Sequence, residues 1–167
     1  MTKDSDLITF ARAEECHKPA ILSLYRAAIG TPGSTWSYDY PNEEILEGDY
    51  QRGDLFCLKN QNGEVIGAIS IDADEIVDGL SCWTKELRPG AELARLVVRE
   101  DYQNQGLARV LLNSVMEVVK ERGYKSVHFL VSKTNYKALN SYAKLNFNNV
   151  GESDVYDANW WCYEKEL

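Results

Sequence analysis

Hydrophobic residues occur along this chain in two patterns, as short dense runs and as longer runs with helical spacing. The dense runs and the aromatic-rich end of the chain predict strands at residues 7–11, 55–59, 65–71, 91–98, 126–131, 147–151 and 160–166. Apolar positions three and four residues apart predict helices at 14–29, 42–52, 107–122 and 135–145. Pro19 indicates that the first turn of the first helix begins around Lys18. The order β-α-α-β-β-β-α-β-α-β-β predicts an α/β fold with a single mixed central sheet flanked by helices.

The whole chain, residues 1–167, is predicted to form one domain, because its length suits a single core and no linker or repeat interrupts it. Residues 72–90 show no clear period. They are long for a connection between two strands, and we expect a lid or an insertion over the site.

The turn between the strand at 91–98 and the helix at 107–122 carries the sequence Gln103-Asn104-Gln105-Gly106-Leu107-Ala108. Gly106 lets the backbone turn sharply and approach a ligand closely. The first N–H groups of a helix have no intrahelical partner and lie at its positive end, so this turn is a candidate phosphate site. A single glycine here would also suit an ordinary tight turn.

Two blocks of this sequence resemble the GCN5-related N-acetyltransferases. Gln-x-x-Gly-x-Ala, after a strand ending in ARLVV and before an apolar helix, resembles motif A of that family. NYKALNSYAKLNF, which begins at Asn135, resembles its second block, with Asn146 in place of the usual glycine. The turn lacks the Gly-Lys-Ser/Thr of a P-loop and the three glycines of a dinucleotide fingerprint. The resemblance implies the GNAT fold and acetyl transfer from acetyl-CoA to an amine.

The resemblance also implies which residues bind acetyl-CoA. The pantetheine arm would pair with the backbone of the central strand at Leu96, Val97 and Val98. The diphosphate would bind to the backbone amides of Gln103, Asn104, Gln105, Gly106, Leu107 and Ala108. Arg109 is a candidate for the ribose phosphate, although such an arginine is more often a solvated charge. Asn135 matches the family asparagine that contacts the cofactor arm, and a helix-capping role explains it equally well.

Two residues are candidates for proton transfer. Tyr142 matches the tyrosine that acts as general acid in many family members, and a phenol with a pKa near 10 is protonated at neutral pH. The alternative is a packed tyrosine on an amphipathic helix. Glu92 lies where several family members place a glutamate, and its carboxylate would accept the proton of the acceptor ammonium through a water. The alternatives are a solvated glutamate and a reaction that uses ordered water alone.

The acceptor site is predicted less specifically. Tyr25, Trp36 and Tyr38 are candidates for an aromatic wall beside a cationic amine, and packing of the two first helices on the sheet explains them equally well. We expect a small-molecule primary amine as acceptor. The alternatives are a protein or peptide N-acetyltransferase and a non-catalytic acyl-CoA-binding module.

Composition narrows the possible partners. The formal net charge of -8 disfavours nucleic acid and anionic membranes, and no apolar stretch reaches membrane-spanning length. Four separated cysteines and an N-terminus without signal-peptide features indicate a cytoplasmic protein with reduced thiols. Without a cluster of cysteine and histidine, no metal site is expected. A homodimer through the last hairpin, with Trp160 and Trp161, is an open possibility.

Overall fold

The computed structural model describes residues 7–167. Its strands are β1 (Thr9–Arg12), β2 (Leu55–Lys59), β3 (Val65–Asp72), β4 (Gly90–Val98), β5 (Ser126–Ser132), β6 (Asn148–Ser153) and β7 (Trp160–Glu166). Its α-helices are α1 (Lys18–Ala27), α2 (Glu43–Gln51), α3 (Glu75–Asp78), α4 (Leu107–Glu121) and α5 (Tyr136–Lys144). The order of strands and long helices is the predicted one.

The seven strands form one sheet in the order β1-β2-β3-β4-β5-β7-β6. All neighbouring pairs are antiparallel except β4 and β5, which are parallel. The β4–β5 ladder is short: it joins Gly90 to Ser126, Ala91 to Val127 and Glu92 to His128. Within the described residues, β4 has no pairing partner on the β5 side after Glu92, so the two strands diverge and leave a gap in the middle of the sheet.

Helices cover both faces of the sheet. On one face, Leu111 and Val115 of α4 belong to a core cluster with Ile69 of β3 and Val127 of β5, and α5 packs against the same cluster. On the other face, α1 and α2 share a second cluster with strand residues such as Cys57. The amphipathic spacing along α4 therefore directs its apolar side to the sheet, as predicted.

The first helix, α1, begins at Lys18, which confirms the start that Pro19 indicated, and it ends at Ala27, before the predicted limit of residue 29. A 3₁₀ turn at Glu15–His17 precedes α1, and the backbone amide of Glu14 donates to the His17 ring while the Glu14 side chain completes a reciprocal capping arrangement. Pro19 follows in the first turn of α1, where its missing N–H costs nothing. The capping arrangement and the proline together set the start of the α-helix at Lys18.

Residues 72–90 form an ordered segment that packs on the sheet. It contains α3 and presents Trp83 to a small cluster with Val77 and Cys162. The backbone and hydroxyl of Thr84 donate to the Glu164 carboxylate of β7 at 2.9 and 2.6 Å. The segment thus lies over β5 and β7 on the face that also carries α1 and α2.

Among residues 7–167, no helix combines the length and apolar character needed to cross a membrane.

Candidate functional site

The turn between β4 and α4 exposes a row of backbone amides. Asn104 has φ 63° and Gly106 has φ 79°, and this left-handed backbone leads into α4 at Leu107. Within residues 7–167, the amides from Asn104 to Arg109 donate to no backbone carbonyl. A Cβ on Gly106 would meet no atom within 4 Å. These amides therefore lack a backbone acceptor at the positive end of a 15-residue helix, beside a glycine whose Cβ position is open.

The glutamines of this turn fold back on its own backbone. Gln103 Nε2 donates to the Val98 carbonyl at 3.0 Å, and Gln105 Nε2 donates to the Asp101 carbonyl at 3.3 Å. These bonds brace the loop from within while the amides remain available. The side chain of Arg109 is exposed on the first turn of α4.

After Glu92, its last residue paired with β5, β4 has an edge without a strand partner in the described residues. Leu96 and Val98 are half-buried there, whereas Val97 is buried and packs with the α1–α2 cluster. The strand edge and the turn amides lie on one track along β4 and into α4, interrupted by the 3₁₀ turn at Glu100–Tyr102, whose own backbone bonds are made. The candidate cofactor-binding residues Leu96 to Arg109 all lie on this track.

A bulge in β4 turns Arg95 into the interior. Ala68 pairs with Val97 but Ser70 pairs with Ala94, so Arg95 and Leu96 together oppose Ile69. Arg95 adopts φ 54°, a left-handed conformation that non-glycine residues adopt mainly where the fold enforces it.

The guanidinium of Arg95 is held by two acids and a phenol. It binds Asp49 through two bonds of 2.8 and 2.7 Å and Asp72 at 3.0 and 3.1 Å, and it donates to the Tyr40 hydroxyl at 3.1 Å. The side chains of Arg95 and Asp49 are each only 2% exposed. Its acidic partners come from α2 and β3, at distant positions in the sequence, so spacing along the chain does not indicate them.

Glu92 is buried, and the alternative of a solvated strand-end glutamate is wrong. It is 7% exposed, and its Oε1 atom has no hydrogen-bond partner within the described residues. Burial raises the pKa of Glu92 to about 9, and the negative charges of Asp72, Asp74 and Asp78 add to the increase. A proton is therefore held at this carboxyl at neutral pH.

Tyr142 lies in an aromatic cluster between α5 and β5. Its ring centroid is 4.5 Å from that of Phe129, 6.0 Å from that of Phe147 and 6.3 Å from that of Tyr163. Burial raises the pKa of Tyr142 to about 12, so the phenol is protonated at neutral pH. Tyr142 is therefore packed among aromatic rings, as the alternative to a catalytic role expected. The same packing would hold a proton donor in one orientation, so it agrees with both roles.

Asn135 begins α5 and also contacts the α1–α2 connection. Its Oδ1 atom accepts from the Ala138 amide at 3.2 Å, which is the helix cap that its sequence position suggested. Gly33 lies so close that a Cβ on it would be 3.1 Å from the same Oδ1 atom. The connection between α1 and α2 therefore reaches the start of α5, on the far side of the gap between β4 and β5.

The three aromatic residues proposed for the acceptor site occupy different environments. Tyr25 is fully buried in the α1–α2 cluster, and Trp36 makes an edge contact with it at 5.5 Å between ring centroids. Tyr38 is 74% exposed. Tyr40 approaches the interior, where its hydroxyl accepts from Arg95 at 3.1 Å.

Two groups of side chains with metal-ligand chemistry lie close together within the described residues: Glu14, Cys16 and His17, and separately Asp72, Asp74 and Glu92. In the first group, the His17 Nδ1 atom already accepts from the Glu14 amide at 3.0 Å. In the second group, the ligand atoms lie within 4.8 Å of one another. Sequence reasoning missed the second group because its members come from different strands and from the 72–90 segment.

Comparison with known proteins places this architecture among acetyltransferases. Residues 19–147 match the acetyltransferase (GNAT) family. N-acetyltransferase 8 of Mus musculus is 28% identical over 109 residues, which are 65% of this chain and 45% of that protein. An uncharacterised N-acetyltransferase of Methanocaldococcus jannaschii is 29% identical over 94 residues, 56% of this chain and 39% of that protein. The chain thus spans less than half the length of these curated relatives.

Solved structures share the fold over nearly the whole chain. A GNAT-family acetyltransferase of Streptococcus agalactiae superposes with a TM-score of 0.79 at 16% identity, covering 96% of this chain and 95% of that one. The Salmonella typhimurium protein yncA, a putative acetyltransferase solved with acetyl-CoA, gives 0.73 at 18% identity, with 96% and 94% covered. At these identities the likeness concerns the fold alone. It confirms the predicted fold, and the family match confirms the resemblance.

Proposed function

Because the chain belongs to the GNAT family of acetyltransferases, we propose that it transfers the acetyl group of acetyl-CoA to a primary amine of a small molecule. The observation that carries this proposal is the row of unpaired amides from Asn104 to Arg109, which continues the free backbone of β4. Acetyl-CoA supplies an acetyl group activated as a thioester. The new bond joins the amine nitrogen to the acetyl carbon, and the carbon–sulfur bond breaks.

The residues along β4 and α4 fit this cosubstrate. A diphosphate is matched by amides at a helix N-terminus, and Gly106 leaves open space where a side chain would stand. On the side that β5 has left, Leu96, Val97 and Val98 have no strand partner, and this edge is proposed to pair with the amide groups of a pantetheine arm. The Val98 carbonyl itself accepts from Gln103 Nε2. Arg109 and Asn135 lie at the two sides of the gap and are proposed to contact the cofactor's phosphates and arm.

Glu92 is proposed to accept the proton of the acceptor. A free aliphatic ammonium has a pKa of about 10.4, and burial raises the pKa of Glu92 to about 9. This raised pKa makes proton transfer from the ammonium less uphill than transfer to an ordinary carboxylate, which suits a general base. When a cation enters beside Glu92, its charge favours the ionised carboxylate, and this carboxylate then accepts the proton from nitrogen.

Tyr142 is proposed to protonate the departing thiolate. Burial raises the pKa of its phenol to about 12, so the proton to be donated is present at neutral pH. The contacts with Phe129 and Phe147 hold the ring in one orientation. Glu92 and Tyr142 are thus proposed as the base and the acid that acetyl transfer requires. A module that only binds acyl-CoA would need neither.

A contact between the β6–β7 loop and the 72–90 segment favours a small acceptor over an extended peptide. The Tyr156 hydroxyl, between β6 and β7, donates to the Asp74 carboxylate in the 72–90 segment. This bond joins the two loops beside Glu92 and narrows the surface on which a polypeptide would lie.

Titration calorimetry with acetyl-CoA tests the proposed cofactor site. Gly106→Trp is expected to weaken binding by about tenfold or more, because the indole occupies the space in front of the amides. The matched control is Gly63→Trp in the β2–β3 turn, where φ is 78° and a Cβ also meets no atom within 4 Å. Equal affinities for the two variants would show that the turn does not bind the cosubstrate.

A further inference from the structure

We propose that Asp72, Asp74 and Glu92 form an ammonium-binding recess, and that the acceptor is therefore a cationic aliphatic amine without a carboxylate, such as an alkylamine or a diamine. This inference rests on the proposed acetyl transfer, whose acceptor it identifies by class. It is carried by the position of an unpartnered buried oxygen among acidic side chains.

The orphaned oxygen of Glu92 points to a missing hydrogen-bond donor. Glu92 is more than nine-tenths buried, yet its Oε1 atom is without a partner in the described part of the chain. Buried polar atoms are normally paired, because an unpaired one keeps the full cost of leaving water. Ligand atoms of Asp72 and Asp74 lie within 4.8 Å of a Glu92 oxygen and of each other.

This spacing fits a primary ammonium. An NH₃⁺ group has three donors in tetrahedral directions, and hydrogen bonds of about 2.8 Å along them place three acceptor oxygens roughly 4.6 Å apart. One carboxylate oxygen from each of the three residues would then receive one N–H. A neutral amide or hydroxyl would satisfy the Glu92 oxygen but would leave the surrounding charges uncompensated.

The charges around the recess leave it negative. The groups that face Glu92 are Asp72 of β3, Asp74 and Asp78 of the 72–90 segment, Arg95 of β4, His128 of β5, Tyr40 and Tyr156. Arg95 is the one guanidinium among them, and it already binds both Asp49 and Asp72. Asp78 is bonded to the His128 ring at 2.7 Å. Asp74 accepts only from backbone amides and from Tyr156, so its charge has no cationic partner in residues 7–167.

An ammonium fits these surroundings better than a divalent cation. Both oxygens of Asp72 already contact the Arg95 guanidinium, at 3.0 and 3.1 Å, so a metal bound to Asp72 would lie close to a second fixed positive charge. Oδ1 of Asp74 caps α3 by accepting from the Ile76 and Val77 amides. With these bonds made, the carboxylates of Asp72 and Asp74 can each accept one further N–H. They have too few free oxygen positions left to surround a divalent cation.

The same charges disfavour amino acids as acceptors. A carboxylate brought in on the substrate would face Asp72, Asp74 and Asp78, and the guanidinium that acts on Glu92 in residues 7–167, that of Arg95, is already paired with Asp49 and Asp72. A second amino group would instead be attracted by the acidic surroundings. Among compounds of equal length, we therefore expect the order diamine, alkylamine, amino acid.

Binding of a cation to the recess releases a proton. Free Glu92 holds its proton at neutral pH because its pKa is about 9. When the ammonium enters, the carboxyl ionises, one proton passes to the buffer, and an ion pair of carboxylate and ammonium remains. Binding at pH 7.5 is therefore expected to release close to one proton, whereas a simple surface ion pair releases none.

Calorimetry with three probes of equal length tests the proposal: 1,4-diaminobutane, butylamine and 4-aminobutanoate, titrated into the protein in the presence of CoA. The heat of 1,4-diaminobutane binding in two buffers of different ionisation enthalpy gives the number of protons released. The diamine is expected to bind about tenfold more tightly than butylamine, and 4-aminobutanoate about tenfold more weakly than butylamine. Asp74→Asn keeps the oxygen that caps α3 and is expected to weaken diamine binding about tenfold.

Glu92→Gln is expected to abolish proton release, and the control is Glu117→Gln, which removes one charge from the exposed side of α4. Three results would overturn the proposal: 4-aminobutanoate binding as tightly as the diamine, proton release that persists in Glu92→Gln, or displacement of the diamine by Ca²⁺ at low concentration. The proposed function fails separately, if acetyl-CoA neither binds nor reacts. Acetylation of another amine, with diamine binding unaffected by Asp74→Asn, would overturn only the recess.

Discussion

Replacing Glu92 by glutamine should stabilise this protein at neutral and alkaline pH, although the same change removes the proposed base. Burial and the charges of Asp72 and Asp74 raise the pKa of Glu92 from 4.5 to about 9. The folded state then binds this proton more tightly than the unfolded state does. The stability contributed by the group is fully present below about pH 4.5 and is lost as pH rises toward 9. Glutamine has no proton to lose, so the variant escapes this loss.

The size of the effect follows from the same pKa. One pKa unit corresponds to about 1.36 kcal/mol, and from pH 5.5 to 8.5 the carboxyl is protonated when folded and ionised when unfolded. Over these three pH units the variant should gain up to about 4 kcal/mol relative to the wild type. Water that reaches the carboxylate on ionisation reduces this gain, so we expect about 2–4 kcal/mol.

Urea unfolding followed by circular dichroism, at several pH values between 5.5 and 8.5, measures the difference between variant and wild type. Taking the difference cancels the titration of distant groups that both proteins share. Glu117→Gln, which changes an exposed glutamate on α4, should give a flat difference over the same range. A flat difference for Glu92→Gln as well would mean that the folded carboxyl is ionised throughout, and the reasoning about its burial would then be refuted.

Two further substitutions separate catalysis from stability. Tyr142→Phe removes the proposed proton donor but keeps the ring packing. In a thiol-release assay, kcat should fall about a hundredfold with little change in the KM for acetyl-CoA. Unchanged turnover would show that Tyr142 takes no part in the reaction. Asp49→Asn leaves the buried Arg95 without its main partner and should lower the free energy of unfolding in urea by about 3 kcal/mol. Glu47→Gln, at the exposed pair with Lys18, serves as its control, and an equal loss there would contradict the buried-pair explanation.

The pattern along the chain was sufficient for the architecture. Strand and helix periods placed every strand and long helix, and the run from β4 through Gly106 into α4 showed where a phosphate site would lie. These features are local: a turn, a helix start and an amphipathic face depend on residues within a few positions of one another. Pro19 indicated the start of α1 at Lys18, although the pattern does not show that Glu14 and His17 cap a separate 3₁₀ turn before it.

The sequence pattern did not predict the environment of Glu92. Its position in the sequence suggested a base, but nothing in the neighbouring residues showed that it would be buried beside Asp72 and Asp74. Asp74 belongs to the connection at 72–90, whose path over the sheet the pattern did not predict. The partners of Arg95 were hidden for the same reason, since Asp49 lies 46 residues away on α2.

What the sequence determined by itself is therefore the order of elements, the family and the turn proposed for the diphosphate, because each depends on short-range spacing that the chain carries directly. What only the tertiary structure decided is the electrostatics around Glu92, where the acceptor is proposed to bind. The bulge at Arg95, the divergence of β4 from β5 and the packing of residues 72–90 bring distant charges into one buried region. Burial and proximity determine whether a carboxyl holds its proton, and both arise only when the chain has folded.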